Sequence, residues 1–116
     1  MDRPAGRSNH VCRVATVDDR NYRFTSSFVA ALAELGVAHA AVSPGSRNTP
    51  MSMTLAAEGR IHDWSHHDER SASFFALGIG KASGVPALVA CTSGTAAAEI
   101  HPAVIEARYG RVPLIV

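Results

Sequence analysis

Apolar and polar positions alternate in blocks along most of this chain. Each block with helical spacing is followed by a short unbroken apolar run and then a polar turn. From about Tyr22 to Leu35, the residues Phe24, Phe28, Ala31, Leu32 and Leu35 recur at helical spacing, and Gly36 is a natural stop. Residues Val37 to Val42 read Val-Ala-His-Ala-Ala-Val, without the polar alternation of a strand that faces water on one side. Ser43-Pro44-Gly45-Ser46 is a turn, and it opens a helix over about Thr49 to Glu58. Ile61 to Ser65 is expected to be a second short apolar strand. A third helix starts near Asp68 or Glu69, with Ala72, Phe75, Ala76 and Ile79 as its buried stripe. Pro86 to Cys91 is a third strand. Thr92-Ser93-Gly94-Thr95 turns the chain into a helix from about Ala96 to Tyr109, and Val112 to Val116 is a fourth strand.

Helices alternating with buried strands predict an α/β fold: a parallel sheet with helices on both faces. The polar turns at Ser43, His66 and Thr92 all follow strands, so they belong on one edge of the sheet. Ligands of such sheets gather at that edge. Residues 1–21 hold scattered Arg, Asp and small polar residues and are expected to be a flexible leader, with Val14 to Val17 a candidate edge strand or arm. Residues 22–116 then form one domain. A chain that stops within the apolar run Leu114-Ile115-Val116 is expected to be truncated at its C-terminus.

Composition narrows the function classes. Hydrophobic residues at 47% and charged residues at 18% describe a globular chain, and a net charge of +1 gives no general attraction to nucleic acid or an anionic membrane. No apolar stretch is long enough to cross a bilayer. Cys12 and Cys91 are too few for a zinc site or a disulfide framework and read as reduced thiols of a cytoplasmic protein. Lys81 is the only lysine, so Arg dominates the basic residues.

Three polar turns carry the candidate chemistry. Ser46 and Arg47 put a hydroxyl and a guanidinium at a helix start. Arg there opposes the helix dipole, and a carboxylate ligand would account for it as well as a plain surface position does. His66-His67-Asp68-Glu69-Arg70 is the densest ionisable run. Adjacent histidines point in different directions, which disfavours a metal site, and Asp68 fits a helix first turn. Glu69 fits that explanation less well, because it shares the side of the buried stripe. At Ser93, Gly94 and Thr95, backbone N–H groups suit an anion or a polar ring edge, although a simple Ser93 or Thr95 helix cap explains the spacing more economically. Gly78-Ile79-Gly80-Lys81 is no phosphate loop, since Phe75 and Ala82 occupy positions where Gly and Ser or Thr are required. Gly78, Gly80 and Gly84 are expected to permit close helix packing, between subunits as one option.

Taken in order, Ser-Pro-Gly-Ser-Arg-Asn, His-Asp-Glu-Arg with Ala-Leu-Gly-Ile-Gly-Lys-Ala, and Thr-Ser-Gly-Thr-Ala with His-Pro-Ala-Val-Ile-Glu-Ala resemble the N-terminal part of the MenD family. These are thiamine diphosphate enzymes, the 2-succinyl-5-enolpyruvyl-6-hydroxy-3-cyclohexene-1-carboxylate synthases. The resemblance covers about Tyr22 to Val116. It implies a pyrimidine-binding domain in a transferase of menaquinone biosynthesis. Such an enzyme decarboxylates 2-oxoglutarate and adds the succinyl carbanion to isochorismate. By this resemblance Glu69 activates the cofactor at its pyrimidine N1′, a role best served in a dry pocket. Ser93, Gly94 and Thr95 lie near the aminopyrimidine, and Ser46 and Arg47 bind substrate carboxylate. Mg²⁺ or Mn²⁺ and the diphosphate belong to a C-terminal domain outside this sequence. The site forms between subunits of a homodimer or dimer of dimers, so this piece alone is expected to be inactive. Glu99 departs from the Asn that many relatives carry there. An acetolactate synthase-like lyase is the nearer alternative, disfavoured by Thr95. A non-catalytic anion-binding α/β module is the more distant one.

Overall fold

The computed structural model describes residues 20–116; Cys12 and the candidate strand Val14 to Val17 lie outside them. Helix α1 spans Arg20–Glu34, strand β1 His39–Val42, a 3₁₀ turn Ser46–Asn48 and helix α2 Thr49–Glu58. Strand β2 spans His62–Ser65, helix α3 Glu69–Ser83 and strand β3 Ala87–Ala90. Helices α4 (Ala96–Glu99) and α5 (His101–Gly110) lead to strand β4 (Leu114–Ile115). The strands form one parallel sheet in the order β2-β1-β3-β4.

Side chains alternate across this sheet and seed two cores. Ala40 and Val42 of β1 and Leu88 and Ala90 of β3 meet Val29, Leu32 and Leu55 of α1 and α2. On the opposite face Ala41, Ala87 and Val89 meet Ala72 and Ala76 of α3 and Ile100. The expected helices on both faces are therefore present. The second core is built largely from alanines, which lets α3 lie close over β1 and β3. α1 ends as the sequence predicts. Gly36 has φ +90°, its N–H donates to Ala33 C=O, and Val37 N–H donates to Leu32 C=O, closing a Schellman motif.

Several expectations are corrected. Helix α1 begins at Arg20, two residues before the expected Tyr22. The buried face of α1 is Thr25, Val29 and Leu32, whereas Phe24 and Leu35 are 69% and 80% exposed. Thr25 is held there by its hydroxyl contacts to Asn21 C=O and to Thr54 across in α2. Strand β2 is exposed at all four positions rather than buried, because it is the sheet edge and α3 lies over β1 and β3 instead. Phe75 leaves the core as well. It covers that edge, with its ring 5.3 Å from Trp64 and 5.0 Å from His66. Ser73 and Gly80 take buried places on α3. The long helix expected over Ala96 to Tyr109 is broken at Ile100. Pro102 has no N–H to give the Ala98 carbonyl, so the helix restarts with Pro in its first turn. Gly80 contacts Pro113 of the same chain, and Gly84 (φ +74°) ends α3, so these glycines have roles within the chain.

Candidate active site

The strand order places a switch point between β1 and β3: the chain leaves β1 toward β2 on one side and returns to β3 on the other. Crevices at the C-terminal ends of such strands are the binding positions of open parallel sheets. Here those ends are Ser43–Asn48 and Cys91–Thr95. The first of these turns continues the sheet by one hydrogen bond, Ser43 N–H donating to Ala90 C=O at 2.9 Å. The second turn, at His66, joins the same edge through His66 N–H, which donates to Val42 C=O, also at 2.9 Å. All three polar turns thus share one edge, as the alternation predicts.

The first and third turns are in direct contact. A Cβ on Gly45 would lie 2.7 Å from Thr92 Cβ, closer than real atoms approach, so this position requires glycine for its fit rather than its φ. Arg47 Nη1 donates to Ser93 Oγ at 2.7 Å across the gap. Both side chains are exposed, and Ser93 is the one hydrogen-bond partner of the Arg47 guanidinium among the described residues. The capping explanation for the third turn fails. Thr95 makes no side-chain cap to α4, and Ser93 engages Arg47 instead. Gly94 has φ +84°, a left-handed conformation that Cβ-bearing residues rarely take, and leaves its backbone exposed.

Asp68 caps α3 by accepting a hydrogen bond from Ser71 N–H at 2.7 Å. The bonds from Ser71 hold its carboxyl below the usual carboxylate range. A lowered folded-state value means stability that is present above the unfolded value and lost as pH falls through the folded one. Asp68→Ala should therefore lower the thermal midpoint at neutral pH, and the gap should close in acid. A gap that persists in acid would show that the charged cap is not its source.

Glu69 follows in the first turn of α3. It is half-buried, and its carboxyl has no hydrogen-bond or ion-pair partner among the described residues. Cys91 lies within its field. Burial first, and the Glu69 carboxylate second, push the Cys91 thiol above its ordinary range, so it stays a protonated thiol rather than a nucleophile. In the first turn Ser43 Oγ is buried and has no hydrogen-bond partner among the described residues. His66 and His67 do not join a metal cluster: among the described residues no group of three or more His, Cys, Asp or Glu is arranged to hold one. Ser46 and Glu99 are exposed. A groove of ≈ 550 Å³, lined in part by Phe24, Phe28, Met51 and Ile115, reaches Arg47, Asn48 and Cys91 but not Glu69 or Gly94.

The arrangement is an unpaired carboxyl, an exposed guanidinium and a glycine-bearing strand-to-helix turn on one sheet edge. Residues 23–116 match the family described as thiamine pyrophosphate enzyme, N-terminal TPP binding domain. The chain belongs to this thiamine pyrophosphate enzyme family. Its relatives are similar over most of its length. It is 53% identical over 93 residues to the 2-succinyl-5-enolpyruvyl-6-hydroxy-3-cyclohexene-1-carboxylate synthase of Geobacillus thermodenitrificans, covering 80% of this chain and 16% of that protein. It is 47% identical over 97 residues to the synthase of the same name from Roseiflexus castenholzii, covering 84% and 17%. For that of Gloeothece citriformis the figures are 48% over 103 residues, 87% and 18%. The chain thus spans about a sixth of the length of the curated relatives it matches.

Sequence reasoning named Glu69, Ser46, Arg47, Ser93, Gly94 and Thr95 but missed Asn48, the Gly45–Thr92 contact and the nearness of Cys91 to Glu69. The Pro-Gly pair followed by Asn is turn chemistry and was a usable signal for Asn48. The other two are contacts between distant segments. Among the described residues no helix is long and apolar enough to cross a membrane.

Proposed function

We propose that this chain is the pyrimidine-binding part, residues 22–116, of a thiamine diphosphate-dependent 2-succinyl-5-enolpyruvyl-6-hydroxy-3-cyclohexene-1-carboxylate synthase. The enzyme works in the cytoplasm in menaquinone biosynthesis, decarboxylating 2-oxoglutarate and joining the succinyl unit to isochorismate. Support comes from the family membership and from relatives that carry this name. The observation that carries it is Glu69, a half-buried residue whose carboxyl has no hydrogen-bond or ion-pair partner among the described residues, on the ligand-binding edge of the sheet.

The residues present fit the aminopyrimidine half of the cofactor. On the same sheet edge as Glu69 there are an exposed left-handed turn at Gly94 and a buried Ser43 hydroxyl that has no hydrogen-bond partner among the described residues. Bound thiamine diphosphate supplies the acidic carbon and the electron sink for decarboxylation. Glu69 holds a proton at the pyrimidine N1′ and so tunes the basicity of the ring. The backbone of Ser93, Gly94 and Thr95 orients the ring edge. Arg47, with Ser46 beside it, meets a substrate carboxylate through charge-assisted hydrogen bonds. Mg²⁺ or Mn²⁺ and the diphosphate are held by residues outside this chain. A second copy in a homodimer covers the half-buried Glu69 and excludes water, which strengthens each of these contacts.

The complete enzyme supplied with thiamine diphosphate, Mg²⁺, 2-oxoglutarate and isochorismate should release CO₂ and form the six-membered-ring product. Turnover of pyruvate to acetolactate in its place would overturn the assignment. The 116-residue chain alone should bind thiamine diphosphate only weakly by calorimetry, and a Kd near about 1 μM, some 8 kcal/mol of binding, would overturn the shared site.

A further inference from the structure

We propose that Asn48 is the positioning residue for Arg47, a role that rests on the reading of Arg47 as the partner of a substrate carboxylate. Both ends of the Asn48 amide are used within the first turn. Its Oδ1 accepts from Gly45 N–H at 2.7 Å, and its Nδ2 donates to Ser43 C=O at 3.0 Å. Its own N–H donates to Gly45 C=O at 3.2 Å. Three hydrogen bonds from one residue therefore lock residues 43–48, and Arg47 is the residue immediately before it.

The lock has a purpose that turn formation alone does not need. Gly45, which it grips, is pressed against Thr92 of the third turn, so the locked segment has a fixed position relative to Ser93. Arg47 then reaches Ser93 Oγ at 2.7 Å from a fixed base. A free arginine side chain has many rotamers to lose, and fixing its base and its tip leaves less to lose on binding a carboxylate. The side-chain chemistry is specific. Asp keeps the acceptor for Gly45 but has no donor for Ser43, and Ala has neither. Asn48 touches neither substrate nor cofactor in this reading; it acts through Arg47.

The test is a double-mutant cycle in the complete enzyme with Arg47→Ala, Asn48→Ala and both, following KM for each substrate, kcat and the thermal midpoint. Arg47→Ala should raise KM for one carboxylate substrate by about thirtyfold, as expected for loss of a charged hydrogen bond. Asn48→Ala should raise KM for that same substrate by about tenfold, with kcat within about twofold. In the Arg47→Ala background the Asn48→Ala effect should shrink below about twofold, the signature of coupled residues. If Asn48→Ala fails to fold, Asn48→Asp gives the same reading through loss of the Ser43 bond. Full additivity, or a lowered midpoint with KM unchanged, overturns the proposal and leaves Asn48 as part of the turn. A KM effect from Arg47→Ala with none from Asn48→Ala overturns the positioning role alone. No effect from Arg47→Ala removes the reading of Arg47, and the positioning role falls with it.

Discussion

Glu69→Gln is expected to lower kcat for CO₂ release from 2-oxoglutarate by at least about a hundredfold in the complete enzyme, the lower end for loss of a positioned acid–base group. The substitution keeps the size and shape of the side chain and removes only its charge and its acidic proton. Its structural cost is small, because the carboxyl makes no hydrogen bond or ion pair among the described residues. What is lost is an acidic residue in the first turn of α3, a dipole contribution of about 0.3–1 kcal/mol. Catalysis and stability should therefore separate: activity falls by orders of magnitude while the thermal midpoint moves by a few degrees at most. A second readout lies within the chain. The Glu69 carboxylate helps hold the Cys91 thiol protonated. In the Gln variant that contribution disappears, and Cys91 should alkylate at a somewhat lower pH, with burial still keeping it above the ordinary thiol range. Turnover near that of the unsubstituted enzyme would remove Glu69 from the chemistry, whatever Cys91 does.

How much of this was legible in the sequence depends on distance along the chain. The strands β1 and β3 were legible because a parallel strand covered on both faces is apolar throughout, and their four central residues are almost all buried. The shared edge of the three turns followed from the alternation alone. The exposure of β2 was not legible from its length or position, although His62, Asp63 and Ser65 are poor core residues. Only the strand order makes it an edge. The face of α1 was misread because Phe24 and Leu35 outweigh Thr25 in any hydrophobic count, whereas Thr25 is seated by specific hydroxyl bonds. The break at Ile100 was written in Pro102 and was overlooked under a continuous apolar pattern. Within the site, the contact of Arg47 with Ser93 joins residues 46 positions apart, and no local spacing encodes it.

The two glycines of Gly78-Ile79-Gly80 look alike in the sequence, yet alanine should act on them in opposite directions. Both lie inside α3, where alanine is favoured over glycine by about 1 kcal/mol. At Gly78 a Cβ meets nothing within 4 Å. The helix preference is then unopposed, and Gly78→Ala should raise the thermal midpoint by several degrees, given about 4–8 °C per kcal/mol for a domain of this size. At Gly80 a Cβ would lie 2.4 Å from the Pro113 carbonyl oxygen and 3.2 Å from Val112 Cγ1. The obstacle is backbone held by the pairing of β4 with β3, so it cannot rotate aside as a side chain would. Either α3 lifts from the sheet or the approach to β4 shifts, and overpacking of this kind costs about 1–3 kcal/mol, more than the helix preference returns. Gly80→Ala should lower the midpoint. Glu69 lies eleven residues earlier on the same helix, about 16 Å along its axis. A rigid α3 that lifts or shifts as a body at Gly80 carries that carboxyl with it, so Gly80→Ala should also reduce turnover although it lies outside the site. A midpoint raised by both substitutions would show that α3 yields at Gly80 without cost, and that its close packing does not hold Glu69 at the sheet edge.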